Sequence, residues 1–325
     1  NEFNIIYNIV KSGQLTNYSE FSNYLKNNKS ITKYSDENNK LKFYVIKKDL
    51  SNSDKEKILN LIKITISMKK YFQDNAETIV IWVPINKGRD FNENLINSDT
   101  LSNSRDKFEA FTASGLTFSG SIKNNKERFT VITRYEEIEK LLIHELAHNY
   151  GIDGSLSHNH DFKEFNNKYT ITKNELSNNN NKNYDYLFSI YESYAELSSS
   201  YFNLIFMNIN NNNKNDLYSK LVIGIIVEMI YAYNTICNLA KLNGYKNYDE
   251  FIKNKVFQGE ICFFEYYYLK ALMYNNYEFK VLQNKEDDPK KLYNDVLPLI
   301  NKNDKLLEKI YGENAKQNNF KFCYY

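Results

Sequence analysis

The stretch from Leu141 to Gly151, Leu-Leu-Ile-His-Glu-Leu-Ala-His-Asn-Tyr-Gly, constrains the fold of this chain more than any other. It contains the pattern His-Glu-x-x-His at His144, Glu145 and His148. Residues four apart lie on one face of an α-helix, so a helix here brings both imidazoles within reach of a single cation. The pattern therefore predicts a helix that the rest of the chain holds in place.

Zinc is the metal that this pattern of donors favours. Imidazole nitrogen is a common zinc ligand, and a catalytic zinc site keeps one position open for water. Glu145 directly follows the first histidine and is placed to act as a general base toward that water. The clustering of all four histidines favours a metal site over a chance match; they are His144, His148, His158 and His160. We therefore expect one Zn²⁺ bound by His144 and His148.

The residues around the motif carry signals for both ends of this helix. Thr133-Arg-Tyr-Glu136 has the form of a capping box, and an apolar stripe begins at Ile138. Gly151 stands where glycine commonly ends a helix. These signals predict a zinc helix over about residues 134–150.

Composition excludes several classes of protein. A chain of 325 residues with 42% hydrophobic residues is long enough and apolar enough to fold around one large core or two ordinary ones. Its formal net charge of +2 gives no basis for expecting a nucleic acid partner. The longest apolar run, residues 221–230, is too short to cross a bilayer, so we expect no membrane span. Three widely spaced cysteines favour a reducing compartment over a disulfide framework.

The order of strand and helix signals predicts an α+β fold. A capping box at Ser53-Asp-Lys-Glu56 opens one predicted helix, which runs to about residue 72. β-branched and aromatic residues predict strands, two of which form a hairpin directly before the zinc helix. The predicted strands are 41–46, 78–84, 116–122 and 129–133. Residues 86–107 are expected to form a surface loop.

The C-terminal half is expected to be helical after a polar linker at residues 177–183. Apolar periodicity predicts helices over 184–207 and 217–242, with shorter ones beyond. The expected domains are an α+β lobe at residues 1–176, which contains the zinc helix, and a mainly helical lobe at residues 184–325.

A catalytic zinc site needs a third protein ligand. A third histidine at position 154 would extend the motif, but the residue there is Gly154. His158 and His160 are close in sequence and are one alternative. Glu192, in Tyr191-Glu-Ser-Tyr-Ala-Glu196 on the helix after the linker, is the other.

The carboxylates of Glu192 and Glu196 favour the second alternative. They lie four residues apart on one face of an apolar helix, where like charges repel and unpaired burial is costly. A zinc ion next to Glu192 and a ligand imidazole next to Glu196 would compensate the charges of both carboxylates. Glu196 would then fix the ring orientation of His144. The competing interpretation is two solvated glutamates on an outer face.

His-Glu-x-x-His followed downstream by Glu-x-x-x-Glu resembles the gluzincin arrangement of zinc metallopeptidases, of which thermolysin is a member. The local sequence is also similar to metallopeptidases of large DNA viruses. The matching segments lie between about residues 134 and 200: Arg134-Tyr-Glu-Glu137, Lys140 to Asp153, and Glu192-Ser-Tyr-Ala-Glu196. One departure is that thermolysin-like enzymes place a transition-state histidine in the C-terminal domain, whereas this chain has no histidine after His160.

The resemblance implies a zincin-like fold and a zinc metalloendopeptidase acting on protein or peptide substrates. It implies that His144, His148 and Glu192 are zinc ligands, Glu145 the general base and Glu196 an outer partner. The localisation that it favours is a virion or the cytoplasm of an infected cell. Because the first residue is Asn, a removed leader and a secreted mature form are the alternatives. The alternative function is a virion structural or host-interaction protein that retains a zinc site with little or no activity.

Overall fold

The computed structural model of the protein describes part of the chain as two compact units, and each contains both helices and strands. The α+β class is therefore confirmed. The described residues are 19–85, 115–118, 127–135, 137–151, 171–175, 182–186, 190–208, 214–242, 256–258, Tyr267 and Lys270. Within them, no helix combines the length and apolar character needed to cross a bilayer.

The described residues of the first unit form three helices and one five-stranded sheet. The helices are α1 (Ser19–Asn27), α2 (Asn52–Tyr71) and α3 (Ile138–Asn149). The strands are β1 (Ile31–Asp36), β2 (Leu41–Ile46), β3 (Glu77–Ile85), β4 (Gly115–Phe118) and β5 (Glu127–Arg134). The strand order is β1-β2-β3-β5-β4; the central three strands are parallel, and β1 and β4 join the two edges antiparallel.

Strand β3 shows why this sheet is buried on both faces. Alternate side chains of a strand point to opposite sides. Ile79, Ile81 and Val83 belong to a core cluster that includes Leu25 of α1, while Trp82 on the other face is also fully buried. A near-continuous apolar run of this kind is typical of a parallel strand covered on both faces.

The predicted strands are confirmed where the structure describes them. Residues 41–46 form β2, residues 78–84 lie within β3, and residues 129–133 lie within β5. Strand β4 pairs with β5 as the expected hairpin partner. Edge strand β1 was not predicted. The expected loop at residues 86–107 lies outside the described residues.

Helix α2 begins with a capping box, but not at the predicted residues. Ser51 is the N-cap: the Asp54 amide donates to Ser51 Oγ at 3.1 Å, and the Ser51 amide donates to Asp54 Oδ2 at 2.7 Å. The box predicted at Ser53 is wrong because Ser51 offers the same reciprocal bonds two residues earlier, with Asp as the returning acid. Burial raises the pKa of Asp54, but hydrogen bonds from Lys47 and Ser51 outweigh it, so that pKa lies below its ordinary value.

The N-terminus of α3 also differs from the prediction. The capping box expected at residues 133–136 is wrong, because Thr133 and Arg134 are the last residues of β5. Arg134 pairs with Ile85 of β3, and the Tyr135 amide donates to the Ile85 carbonyl at 3.2 Å. The helix begins at Ile138, after Glu137 in the left-handed region and without a side-chain cap.

The C-terminal end of α3 is confirmed. Gly151 has a φ of 65°, which glycine adopts at no steric cost, and its amide donates to the His148 carbonyl at 3.0 Å.

The described residues of the second unit form two long helices and a three-stranded sheet of order β7-β6-β8. The helices are α4 (Ile190–Asn208) and α5 (Lys214–Leu242). The strands are β6 (Ile171–Glu175), β7 (Lys182–Tyr186) and β8 (Val256–Gln258). The prediction of unbroken helix from residue 184 is wrong because Tyr184 and Tyr186 alternate with polar residues, a strand pattern, and pair antiparallel with β6.

We expect Ser51→Ala to lower the free energy of unfolding by about 1 kcal/mol, because the first turn of α2 loses its cap. Ser53→Ala is the matched control and should change it by less than about 0.5 kcal/mol, since Ser53 is exposed. Urea unfolding followed by circular dichroism measures both. Equal losses from the two variants would contradict the assignment of Ser51 as the N-cap.

Candidate metal centre

The histidine pair lies on a helix that is buried along most of its length. Helix α3 packs on β4, β5 and α2. Ile138, Leu142 and Leu146 are fully buried. At the end of the helix, the Asn149 side chain donates to Thr130 Oγ1 of β5. The sheet therefore fixes both the position and the rotation of the helix that carries the motif.

The structure brings His144 and His148 together as the motif predicts. Their Nε2 atoms lie 3.1 Å apart, and their ring planes meet at 77°. Two ligands at about 2.0–2.1 Å from one ion in tetrahedral geometry have nitrogens about 3.3 Å apart. The observed separation therefore fits two imidazoles that share a zinc ion, and it also fits a hydrogen bond between neutral rings.

Glu145 is buried beside this pair and is held by edge strand β4. The hydroxyl of Thr117 lies 2.6 Å from Glu145 Oε2 and 3.0 Å from the Glu145 carbonyl oxygen. Only 8% of the Glu145 residue is exposed. A buried carboxylate needs such donors, because burial without them is costly. Thr117 was not predicted as a site residue, and no local pattern in the sequence marks it.

Glu192 lies in the first turn of α4 and is half-buried. Among the described residues, the side chains able to hold one ion are those of His144, His148 and Glu192, whose ligand atoms all lie within 4.8 Å of one another. Two imidazole nitrogens and one carboxylate oxygen are a donor set that suits zinc. The alternative ligands, His158 and His160, lie outside the described residues.

Glu196, one turn further along α4, has a partner that was not predicted from the sequence. Its Oε1 accepts a hydrogen bond from Lys270 Nζ at 2.7 Å, and the same ammonium donates to Glu228 Oε2 of α5 at 2.7 Å. All three side chains are buried, and Ser200 donates to Glu228 at 3.2 Å. The predicted pairing of Glu196 with His144 stays a prediction.

The sequence feature that indicates this cluster is a single residue of one charge within each of two apolar runs. Glu228 is the one charged residue in the apolar run 221–230, and Lys270 is the one cation in the aromatic run 261–274. A charged side chain on a strongly apolar helix is expected to be paired when it is buried. Opposite charges on two such helices therefore indicate a buried ion pair.

Comparison with protein-family models and with curated proteins finds no match. The resemblance to gluzincins therefore rests on the motif residues, and it stays a prediction.

We expect Lys270→Met to lower the free energy of unfolding by about 3–5 kcal/mol, because it leaves two buried carboxylates without their shared cation. Lys220→Met is the matched control: Lys220 pairs with Asp216 at 2.8 Å on the exposed surface of α5. That variant should change the free energy by less than about 0.5 kcal/mol. Denaturant unfolding measures both, and a small effect from Lys270→Met would contradict a charged buried cluster.

Proposed function

We propose that this protein is a zinc-dependent metalloendopeptidase with a zincin-like fold. The observation that carries the proposal is the geometry of α3. It presents two imidazole nitrogens 3.1 Å apart, and Glu145 between them in sequence is held in place by β4. Metal binding alone needs the histidines but not a positioned carboxylate, so Glu145 favours hydrolysis over a site without activity.

The proposed zinc ligands are His144, His148 and Glu192. The mutual distances of their ligand atoms, all within 4.8 Å, support this set. Three protein ligands leave a fourth position for water or substrate, which is the arrangement of catalytic rather than structural zinc sites.

When bound, zinc would supply Lewis acid chemistry, lowering the pKa of water and polarising a peptide carbonyl. Glu145 then performs the proton transfers. Its carboxylate accepts a proton from the water whose oxygen attacks the carbonyl carbon. It returns that proton to the nitrogen as the carbon–nitrogen bond breaks, so the amine leaves neutral. His144 and His148 stay neutral throughout, because a protonated imidazole cannot bind the metal.

We expect the protein to bind one zinc ion per chain and Glu145→Gln to retain it, because that change leaves the ligands in place. Hydrolysis should fall roughly 10²–10⁴-fold without the general base. Elemental analysis measures zinc, and new peptide termini in a denatured proteome, read by mass spectrometry, measure hydrolysis. A Glu145→Gln variant with full activity would contradict the role of Glu145. A wild-type protein that binds zinc but cuts nothing would favour the non-enzymatic alternative.

The choice of third ligand has its own test. Glu192→Ala should weaken zinc binding severely, because it removes a ligand, whereas His158→Ala and His160→Ala should leave zinc content unchanged. Competition with a chromogenic chelator measures the affinity of each variant. If His158→Ala loses zinc and Glu192→Ala keeps it, the third ligand is His158 and the proposed set is wrong.

A further inference from the structure

We infer that strand β4 positions the general base through two residues, Thr117 and Gly115. The inference rests on the proposed function, in which Glu145 moves the proton. Residues two apart in a strand point to the same face. Both Gly115 and Thr117 lie against Glu145, and Leu116 between them packs on the opposite face with the sheet core. The strand thus presents one short face to the base.

Thr117 holds one oxygen of the carboxylate. Its hydroxyl has a single hydrogen and faces two acceptors: Glu145 Oε2 at 2.6 Å and the Glu145 carbonyl at 3.0 Å. A charged carboxylate is the stronger acceptor, and the shorter contact is the one to Oε2. The hydroxyl therefore donates its hydrogen to Oε2 and fixes the carboxylate relative to β4.

Gly115 has no side chain, and this leaves the space in which the Glu145 side chain lies. A Cβ at this position would lie 2.6 Å from both Cγ and Cδ of Glu145, closer than carbon atoms approach one another. Any other residue would displace the carboxylate group or the strand. Gly115 is needed here for close approach to the base.

The pairing of β4 with β5 makes this arrangement specific. Gly115 lies opposite Ile132 and Thr117 opposite Thr130. A slip of one residue would turn Leu116 toward Glu145 and remove its apolar side chain from the core, so the register is set by burial. A catalytic group must be held within about 0.5 Å of its productive position. The register of an edge strand thus sets the position of the base.

The test compares Thr117→Val, which keeps the shape and removes the hydroxyl, with Thr117→Ser, which keeps the hydroxyl. We expect Thr117→Val to lower kcat about tenfold, the rate equivalent of one hydrogen bond to a charged group, with KM and zinc content unchanged. Thr117→Ser should restore most of kcat. Gly115→Ala should lower kcat roughly 100-fold by misplacing the base. Unchanged kcat in Thr117→Val would overturn the inference.

Thr65→Val is the matched control. Thr65 is fully buried in α2, and its hydroxyl donates to the Leu61 carbonyl at 2.8 Å. The variant removes a hydroxyl of the same kind away from Glu145, so its kcat should equal that of the wild type. A fall in kcat equal to that of Thr117→Val would show a general effect of losing a buried hydroxyl and would overturn the positioning role.

A double-mutant cycle on zinc-free protein separates this inference from the proposed function. Thr117→Val should lower the melting temperature by a few degrees when Glu145 is present and by clearly less in a Glu145→Ala background, because only the weaker contact with the backbone carbonyl of residue 145 is then left to lose. Equal shifts in both backgrounds would overturn the inference, whatever the activity. Absence of hydrolysis by the wild-type protein would instead contradict the proposed function, while the cycle still decides the contact.

Discussion

The packing of α3 against the sheet is the contact on which the candidate metal centre depends. A helix of twelve residues is marginal in isolation, so its order must come from burial. Its buried leucine and isoleucine side chains contribute about 1.5–3 kcal/mol each relative to exposure. That gain has to offset the desolvation cost of His144 and Glu145, which are buried on the same helix and have polar atoms that lose their contact with water. The apolar residues therefore fix the helix, and the fixed helix sets the spacing of the histidines.

The buried carboxylates of the two units have different kinds of hydrogen-bond partner. Near the motif, Glu145 is bonded by a neutral hydroxyl, which holds the carboxylate without cancelling its charge. In the second unit, Lys270 donates to two carboxylates, one from α4 and one from α5. Gly224 of α5 also allows close packing, since a Cβ there would meet the Leu204 side chain of α4. Close packing and a shared cation together define how α4 and α5 pack.

The sequence predicted those elements whose signals are local. The apolar run of β3 is long and bounded, and the histidine spacing requires a helix. The predicted start of that helix was wrong because the sequence around Thr133 and Arg134 fits both a helix-capping pattern and a strand pattern. Pairing with β3, which lies about fifty residues earlier in the chain, decides between the two. Strands β1, β6, β7 and β8 were missed for the same reason, since a short strand is specified by its partner.

The site residues follow the same division. His144, Glu145, His148 and the pair on α4 are visible as sequence patterns. Thr117 and Gly115 are not, because they touch Glu145 only after β4 has paired with β5 and α3 has packed on both. Lys270 is an intermediate case: its apolar surroundings indicate burial, but its partner is known only from the fold. Local patterns thus identify the residues proposed to bind zinc and to move the proton, and tertiary contacts identify the residues that contact them.

Zinc K-edge X-ray absorption on protein loaded with one equivalent of zinc tests the proposed centre most directly. The proposed ligands predict two imidazole nitrogens at about 2.0–2.1 Å together with oxygen ligands, and a single imidazole in His148→Ala. Sulfur at about 2.3 Å, or a spectrum without imidazole, would place the zinc at other residues and contradict the proposed metal centre.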